Sequence, residues 1–380
     1  MTTQADVMLV GLGDLGGIVL EFLARVEGVE SILVGSRNVQ RGEARCKLSQ
    51  LSALAGGHDP DIQFVTLDLH QVDATAEIIA AANPKIILCT ASMMTWWLAD
   101  LLPEGATSLK QASFGAWLPV HLTLPMKLMQ ALQIANYEGF SLIAPYPDVV
   151  NAVLKGIGLT PTAGIGNLDE VVLKLQLLGS RKLATEPMNL RTHLIAHHAL
   201  QDWVFGDREG EPPPFYLKME HRGEDVSERI HDGELLFTPY PLPDGPAWNF
   251  LSAASAVRLI RALLSTEEMH LHAPGPSGLP GGYPIRASKQ GVTLDIPPEL
   301  SFEQAVSIND RSHAYDGIDR VESDGTVVFR AETVDIMRQT LGYDCERLEP
   351  DDAEWRAREL IDRFMEYARG HGVELPLSER

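Results

Sequence analysis

Three glycines, Gly11, Gly13 and Gly16, stand between a short apolar run, Val7-Met8-Leu9-Val10, and a helical pattern, Ile18-Val19-Leu20-Glu21-Phe22-Leu23. A strand, a glycine turn and a helix start in that order hold a dinucleotide pyrophosphate. Gly11 permits the tight turn, Gly13 lets the pyrophosphate approach the backbone, and Gly16 lets the helix sit close to the strand. The free N–H groups of the first helical turn, at Asp14 and Leu15, then face the phosphates along with the positive end of the helix dipole. The bland alternative is a tight turn that binds nothing.

A second strand, Ser31-Ile32-Leu33-Val34, ends in Gly35-Ser36-Arg37-Asn38, with Arg41 one helical turn on. An NAD site places a carboxylate about 20 residues past the glycines, on the ribose 2′-hydroxyl. No carboxylate stands there in this chain. Ser36 is a donor for a 2′-phosphate, and the planar guanidinium of Arg37 pairs with one. This favours NADP over NAD. The alternative is that Arg37 and Arg41 are only the solvated start of a helix.

Lys85-Ile86-Ile87-Leu88-Cys89 reads as the fourth strand, and its end, Thr90-Ala91-Ser92, belongs at the crevice where such sheets bind ligands. Trp96 and Trp97 follow; they fit a clamp on an apolar substrate or a packed core equally well. Farther on, His193, His197 and His198 lie in a strand-like run, 189–198. Three His in six residues suit a structural or metal cluster, but a strand and the lack of a nearby Cys argue against metal, so no metal is expected.

The elements that must position these groups alternate. Strands at 6–11, 31–35, 62–67 and 85–90 interleave with helices at 14–26, 38–55 and 72–82. This is the pattern of an α/β doubly wound parallel sheet. A helix near 119–136 and a strand at 141–144 continue it. A helix at 246–264, a loop at 273–284, an Asp324-Gly325 hairpin turn and a closing amphipathic helix at 351–369 follow. We divide the chain into a dinucleotide-binding domain, 1–150, an α+β substrate domain, 151–310, and a C-terminal hairpin and helical extension, 311–380.

The chain has 380 residues and a formal charge of -21, from 52 acidic and 31 basic residues. That charge argues against nucleic acid and anionic lipid as partners. No apolar stretch approaches the ~18 residues of a membrane span, and Met1-Thr2-Thr3-Gln4-Ala5-Asp6 lacks the basic start of a signal peptide. Three scattered cysteines, Cys46, Cys89 and Cys345, suggest a reducing cytoplasm.

The order of motifs over about residues 6–310 resembles the malate/lactate dehydrogenase superfamily. The glycine turn is one match. Asp148-Val149-Val150 with Gly166-Asn167-Leu168-Asp169 is similar to the family's segment around its Leu-Asp motif. Gly278-Leu279-Pro280-Gly281-Gly282-Tyr283-Pro284-Ile285, then Gly291-Val292-Thr293-Leu294 and Pro297-Pro298-Glu299-Leu300, resembles its closing strands and final helix. About 70 C-terminal residues have no counterpart.

The resemblance implies an oxidoreductase that moves a hydride between a nicotinamide and a carbonyl or alcohol, and a homo-oligomer, dimer or tetramer. It implies an Asp–His pair in which the imidazole exchanges the alcohol proton. Asp169 matches the Asp. His198 best matches the His, with His197 as fallback. The departures matter as much. The family's substrate-carboxylate Arg falls on Val172, and its Arg-bearing loop here carries Met93, Met94, Trp96 and Trp97. The small-molecule substrate is therefore expected to be bulkier and more apolar than malate or lactate. Trp248 and Ser252, at the start of a helix that lines the family's pocket, are weaker substrate candidates, as is Trp203. An opine- or saccharopine-type dehydrogenase and a non-catalytic dinucleotide sensor are the competing readings.

Overall fold

A computed structural model describes residues 4–103, 109, 112–206, 208–243 and 245–375. Residues 1–3 and 376–380, at the two ends of the expected domain scheme, lie outside the described residues.

The first lobe is a six-stranded parallel sheet in the order β3-β2-β1-β4-β5-β6. Its strands are β1 (Val7–Val10), β2 (Ser31–Ser36), β3 (Asp61–Thr66), β4 (Ile86–Cys89), β5 (Phe140–Ile143) and β6 (Ala163–Gly164). Every residue of β1 and β4 is buried. Continuous apolar runs are what a sheet covered by helices on both faces demands. The chain reverses its direction of travel across the sheet between β1 and β4, so a crevice opens beyond their C-terminal ends.

Helices α1 (Asp14–Leu23), α2 (Val39–Ala55), α3 (Val72–Ala82), α4 (Leu118–Ile134) and α5 (Pro147–Gly156) cover this sheet. The start of α2 is fixed by Asn38, whose Oδ1 accepts from the Arg41 backbone N–H at 2.9 Å. The sheet continues past residue 150, through α5 to β6. A further helix, α7 (Asn249–Leu264), buries Ala253, Ala256 and Ile260 in the same apolar cluster as Val19, Leu20 and Leu23 of α1. The expected substrate segment thus supplies one wall of the first lobe.

The second lobe is built on α6 (Leu168–Leu183) and two small antiparallel sheets, β7 (Leu190–Ile195) with β8 (Tyr216–His221) and β9 (Glu224–Asp225), and β10 (Met269–Pro274) with β11 (Gly282–Ser288) and β12 (Gly291–Leu294). Two expectations are corrected here. The strand expected at 189–198 stops at Ile195, and His198 opens a short 3₁₀ turn. The loop expected at 273–284 is partly strand, with Ala273 paired to Tyr283 across the ladder. Burial of Tyr283, Ile285 and Ala273 outweighs the Pro- and Gly-rich composition there.

The C-terminal extension does not stand apart. After α8 (Phe302–Ser312), a hairpin of β13 (Ile318–Val321) and β14 (Val327–Phe329) turns at Asp324-Gly325, as expected. Helix α9 (Ala331–Leu341) and β15 (Arg347–Leu348) lead to α10 (Ala353–Gly370). Ala353, Ala357, Leu360, Phe364 and Ala368 recur at helical spacing and are all buried. Phe364 meets Trp117 edge-on at 5.1 Å, so α10 seals onto α4 of the first lobe. The turn between α8 and β13 is thereby held over the crevice. No helix among the described residues is long and apolar enough to cross a membrane.

Candidate active site

A cavity of about 1010 Å³ runs from the glycine turn, across the ends of β1, β2 and β4, to the 3₁₀ turn at His198. Its two ends differ in character.

At the glycine end, Gly11 has φ 102°, a conformation that favours glycine. A side chain there would also press within 2.8 Å of the Ala91 nitrogen. At Gly16 a Cβ would overlap the Gly11 carbonyl oxygen, so this glycine serves close helix–strand packing. A Cβ at Gly13 would meet nothing within 4 Å. Space is left open above the N-terminus of α1, where backbone N–H groups have no partner within the helix. The Thr90 hydroxyl donates to the Gly11 carbonyl at 2.9 Å and ties the turn to β4. Leu15, Ser36, Arg37, Arg41, Ala91 and Ser92 line the cavity. Arg37 and Arg41 are exposed, and neither makes an ion pair among the described residues.

The other end centres on His198. Its Nε2 lies 2.7 Å from the Asp316 carboxylate. The Tyr146 hydroxyl donates to the same carboxylate oxygen. The His198 backbone N–H donates to Asp148 at 3.0 Å, and the Asn167 side chain donates to the other oxygen of Asp148. Tyr146 and Asn167 both have positive φ, at 46° and 54°. Non-glycine residues in that region cost energy and persist only where the surroundings hold them. Here both sit at helix starts and both point hydrogen-bonding groups at the acid–imidazole cluster.

The electrostatics follow from this packing. Burial pulls the His198 imidazole down, but Asp316, then Asp148 and Asp202, more than reverse it and hold it up at about 9. Burial pushes the Asp316 carboxyl up, yet His198 and Tyr146 keep it well below the usual carboxylate range. The pair is therefore imidazolium–carboxylate at neutral pH. His121 stacks on Phe114 at 5.2 Å and meets the Ser92 hydroxyl at 3.0 Å. Burial lowers it to about 3, so it stays neutral.

The residues singled out by sequence separate into groups. Asp169, expected beside His198, instead pairs with Arg258 of α7 at 3.0 Å and is fully enclosed. No hydrogen bond among the described residues joins it to His198, whose carboxylate partner is Asp316. His197 is buried and accepts from the Ala199 N–H at 3.3 Å, and His193 reaches the Asp295 carbonyl at 3.3 Å. One ligand atom each from His197, His198 and Asp316 lies within 4.8 Å of the others, a grouping that could hold a cation. Trp96 lines the cavity and donates to Asn249 at 3.4 Å; Trp97 packs behind the wall and donates to Asp14 at 3.2 Å. Trp248 and Ser252 line the cavity; Trp203 does not and lies under Arg208. Sequence reasoning misses Asp316, Tyr146, Glu170 and His121 as site residues and takes Asn167 only as part of a motif. Asp316 sits in a segment that has no family counterpart, so no motif could mark it.

No protein-family model and no curated protein sequence matches the chain. Solved structures do. A lactate dehydrogenase from Eimeria maxima, solved with NADH and oxamate, superposes with a TM-score of 0.56 at 13% identity, over 83% of this chain and 92% of that one. A malate dehydrogenase from Cryptosporidium parvum gives 0.56 at 13% identity, over 83% and 97%. A malate dehydrogenase from Plasmodium falciparum gives 0.54 at 12% identity, over 94% and 99%. The chain has the fold of lactate and malate dehydrogenases, with a doubly wound first lobe, as the motif order implied.

Proposed function

We propose that the protein is a nicotinamide-dinucleotide-dependent oxidoreductase that interconverts a carbonyl and an alcohol. The observation that carries this reading is the continuous cavity joining an open glycine turn to an imidazole–carboxylate pair. Gly11, Gly13, Asp14 and Leu15 would hold the pyrophosphate at the start of α1, and Thr90, Ala91 and Ser92 would line the way to the nicotinamide. Bound there, the nicotinamide supplies or accepts the hydride.

His198 is the proton carrier in this reading, and Asp316, in place of Asp169, orients it and stabilises its charge. Nε2 is engaged by Asp316, and Nδ1 has no hydrogen-bond partner among the described residues. An imidazole already protonated at neutral pH is set to deliver a proton to a carbonyl oxygen as it is reduced. Tyr146, Asp148 and Asn167 hold that geometry. Walls of Trp96, Phe114, Phe205, Trp248 and Tyr315 suit a substrate bulkier and more apolar than malate or lactate.

NADP is the preferred coenzyme in this reading, because Ser36, Arg37 and Arg41 offer a hydroxyl and two guanidinium groups where a 2′-phosphate would lie. The family resemblance makes a homodimer or tetramer the expected assembly, and the three scattered cysteines make a reducing cytoplasm the expected setting. Titration calorimetry with NADPH and NADH tests the core of the proposal. NADPH should bind more tightly, and Arg37→Asp should cost NADPH roughly tenfold to a hundredfold in affinity while sparing NADH. No heat with either nucleotide overturns the reading. Equal affinities, with Arg37→Asp silent, overturn the NADP assignment alone.

A further inference from the structure

Two neighbouring carboxylates open helix α6, and their surroundings differ sharply. Asp169 has a counter-ion, Arg258. Glu170 has none among the described residues, although it is only 4% exposed. Its Oε1 accepts from the Ser252 hydroxyl at 2.8 Å, and its Oε2 accepts from the Gln201 amide at 3.2 Å. Both donors are neutral. Gln201 also donates to the Asn167 carbonyl at 3.1 Å, and Asn167 in turn holds Asp148 beneath His198. Glu170 therefore belongs to the same hydrogen-bond network as the imidazole pair, and it lines the same cavity.

A buried carboxylate without a cation is costly. The group either stays protonated or waits for a positive partner that arrives with the ligand. The described charges that face this end of the cavity supply Glu170 with no partner of its own, so the unliganded protein holds it protonated and an arriving cation ionises it. On its own helix, Asp169 is neutralised by Arg258, and Lys174 is spent on the carbonyls of Val204 and Leu236. From the 201–208 segment come Asp202 and Arg208, paired with each other at 3.0 Å. From the 3₁₀ turns come the His198 imidazolium and Asp316, with Asp148 behind them. With Lys174 and Asp148 offsetting each other, these groups cancel, so among the described residues an ionised Glu170 is the one uncompensated charge facing the open space. Phe205 already faces the Lys174 ammonium at 5.3 Å, and Trp248, edge to face with it at 5.1 Å, adds aromatic surface that attracts a further cation.

We propose that Glu170 is the anchoring residue for a primary ammonium group on the substrate, whose carbonyl or hydroxyl lies at His198. The substrate class is thus an amino ketone or amino alcohol with an apolar body. This rests on the proposed function, because the reacting carbon is placed by His198 and the nicotinamide. Glu170 itself exchanges no hydride; it fixes which end of the molecule enters first. Burial lifts its carboxyl to about 8, with Ser252 opposing and Asp169 reinforcing that rise. A cation bound at neutral pH therefore expels a proton from Glu170, and that proton is countable.

The probes are benzylamine and its neutral near-isostere benzyl alcohol, titrated by calorimetry into the NADP-saturated protein at pH 7 in buffers of different ionisation enthalpy. Benzylamine should bind at least about tenfold more tightly. Its binding should release a substantial fraction of one proton, and benzyl alcohol should release none. Glu170→Gln should abolish both the preference and the proton release while keeping benzyl alcohol binding. Glu170→Asp, with the same charge one methylene back, should keep proton release at reduced affinity, which guards against a variant that merely misfolds. Equal binding of the two probes, amine binding without proton release, or a preference that survives Glu170→Gln each overturns the proposal. Nucleotide binding is read separately: if NADP binds and the amine does not, the ammonium anchor falls while the oxidoreductase reading stands.

Discussion

The groups that shape the glycine end of the cavity come chiefly from three short stretches, 11–16, 36–41 and 90–92, each directly after a strand of the sheet. The His198 end gathers Tyr146, Asp148, Asn167, His198 and Asp316 from four separate stretches of chain, and the Tyr146–Asp316 bond alone spans 170 residues. The first end depends on backbone: glycine conformations, helix N–H groups and a dipole. The second depends on side-chain pairs in a buried setting. Backbone sites are written in local spacing. Side-chain sites are written in tertiary contacts, so one carboxylate can replace another without leaving a local trace.

The two aspartates offer the sharpest way to break that comparison. Asp316→Asn keeps the shape of the His198 partner and removes its charge. Turnover with any accepted carbonyl should fall about a hundredfold to ten-thousandfold, the range that a positioned acid–base group contributes. The high-pH limb of the reduction profile, expected near 9 in the native protein, should move toward the ordinary imidazole value. Asp169→Asn should do the reverse. It leaves the partly exposed Arg258 without its carboxylate, at a stability loss of about 1–3 kcal/mol, and spares turnover of the folded fraction. Denaturant melts and steady-state rates on both variants decide. A rate collapse in Asp169→Asn with a silent Asp316→Asn would return the pairing to the motif-derived partner.

How much can be read in advance follows the same division. The sheet and the glycine turn are open to reading, because each is an apolar run or a turn with its own spacing. The Asp324-Gly325 hairpin is open for the same reason. His198 is reached through motif order, but its partner is not. Asp316 follows α8 by only a few residues, and nothing near it announces chemistry until α10 seals onto α4 and holds that turn over the crevice. Glu170 is hidden behind its neighbour Asp169, since a helix start carries acidic residues for dipole reasons alone. Only the location of Arg258 separates the two. The strand pairing of Ala273 with Tyr283 is hidden as well, because proline and glycine signal loops locally, while the burial of Tyr283 is a tertiary fact.

A second pair of substitutions sharpens the comparison on the glycine side. Gly13→Val adds a side chain into open space, at a φ of -79° that any residue adopts. Its melting temperature should hardly move, while the heat of NADPH binding should vanish. Gly16→Val forces a side chain against the Gly11 carbonyl and should cost about 1–3 kcal/mol of stability, the usual penalty of overpacking. Thermal melts beside calorimetry separate the two effects. If Gly13→Val binds NADPH normally, the open space above α1 is not where the pyrophosphate lies.

The last expected effect concerns stability alone. Burial raises the Glu170 carboxyl from its ordinary 4.5 to about 8, so between those values the folded protein holds a proton that the unfolded chain has lost. Its stabilising contribution is complete below about 4.5 and is lost as pH rises through 8. The steepest decline it can produce is about 1.4 kcal/mol for each pH unit inside that window. His198 acts with the same sign in a later window, from 6.5 to about 9. Buried His121, His272 and His313, lowered to about 3, 3 and 4, act with the opposite sign below 6.5, so stability should rise toward pH 6.5 in the native protein and decline from there to 9. Glu170→Gln, which stays neutral throughout, should steepen the rise below 6.5, weaken the decline between 6.5 and 8, and leave the His198 part in place. Urea midpoints taken at pH 5, 7 and 9 measure both windows. An unchanged slope between 5 and 7 in Glu170→Gln would mean that Glu170 is ionised in the folded protein and that a counter-ion is already within its reach.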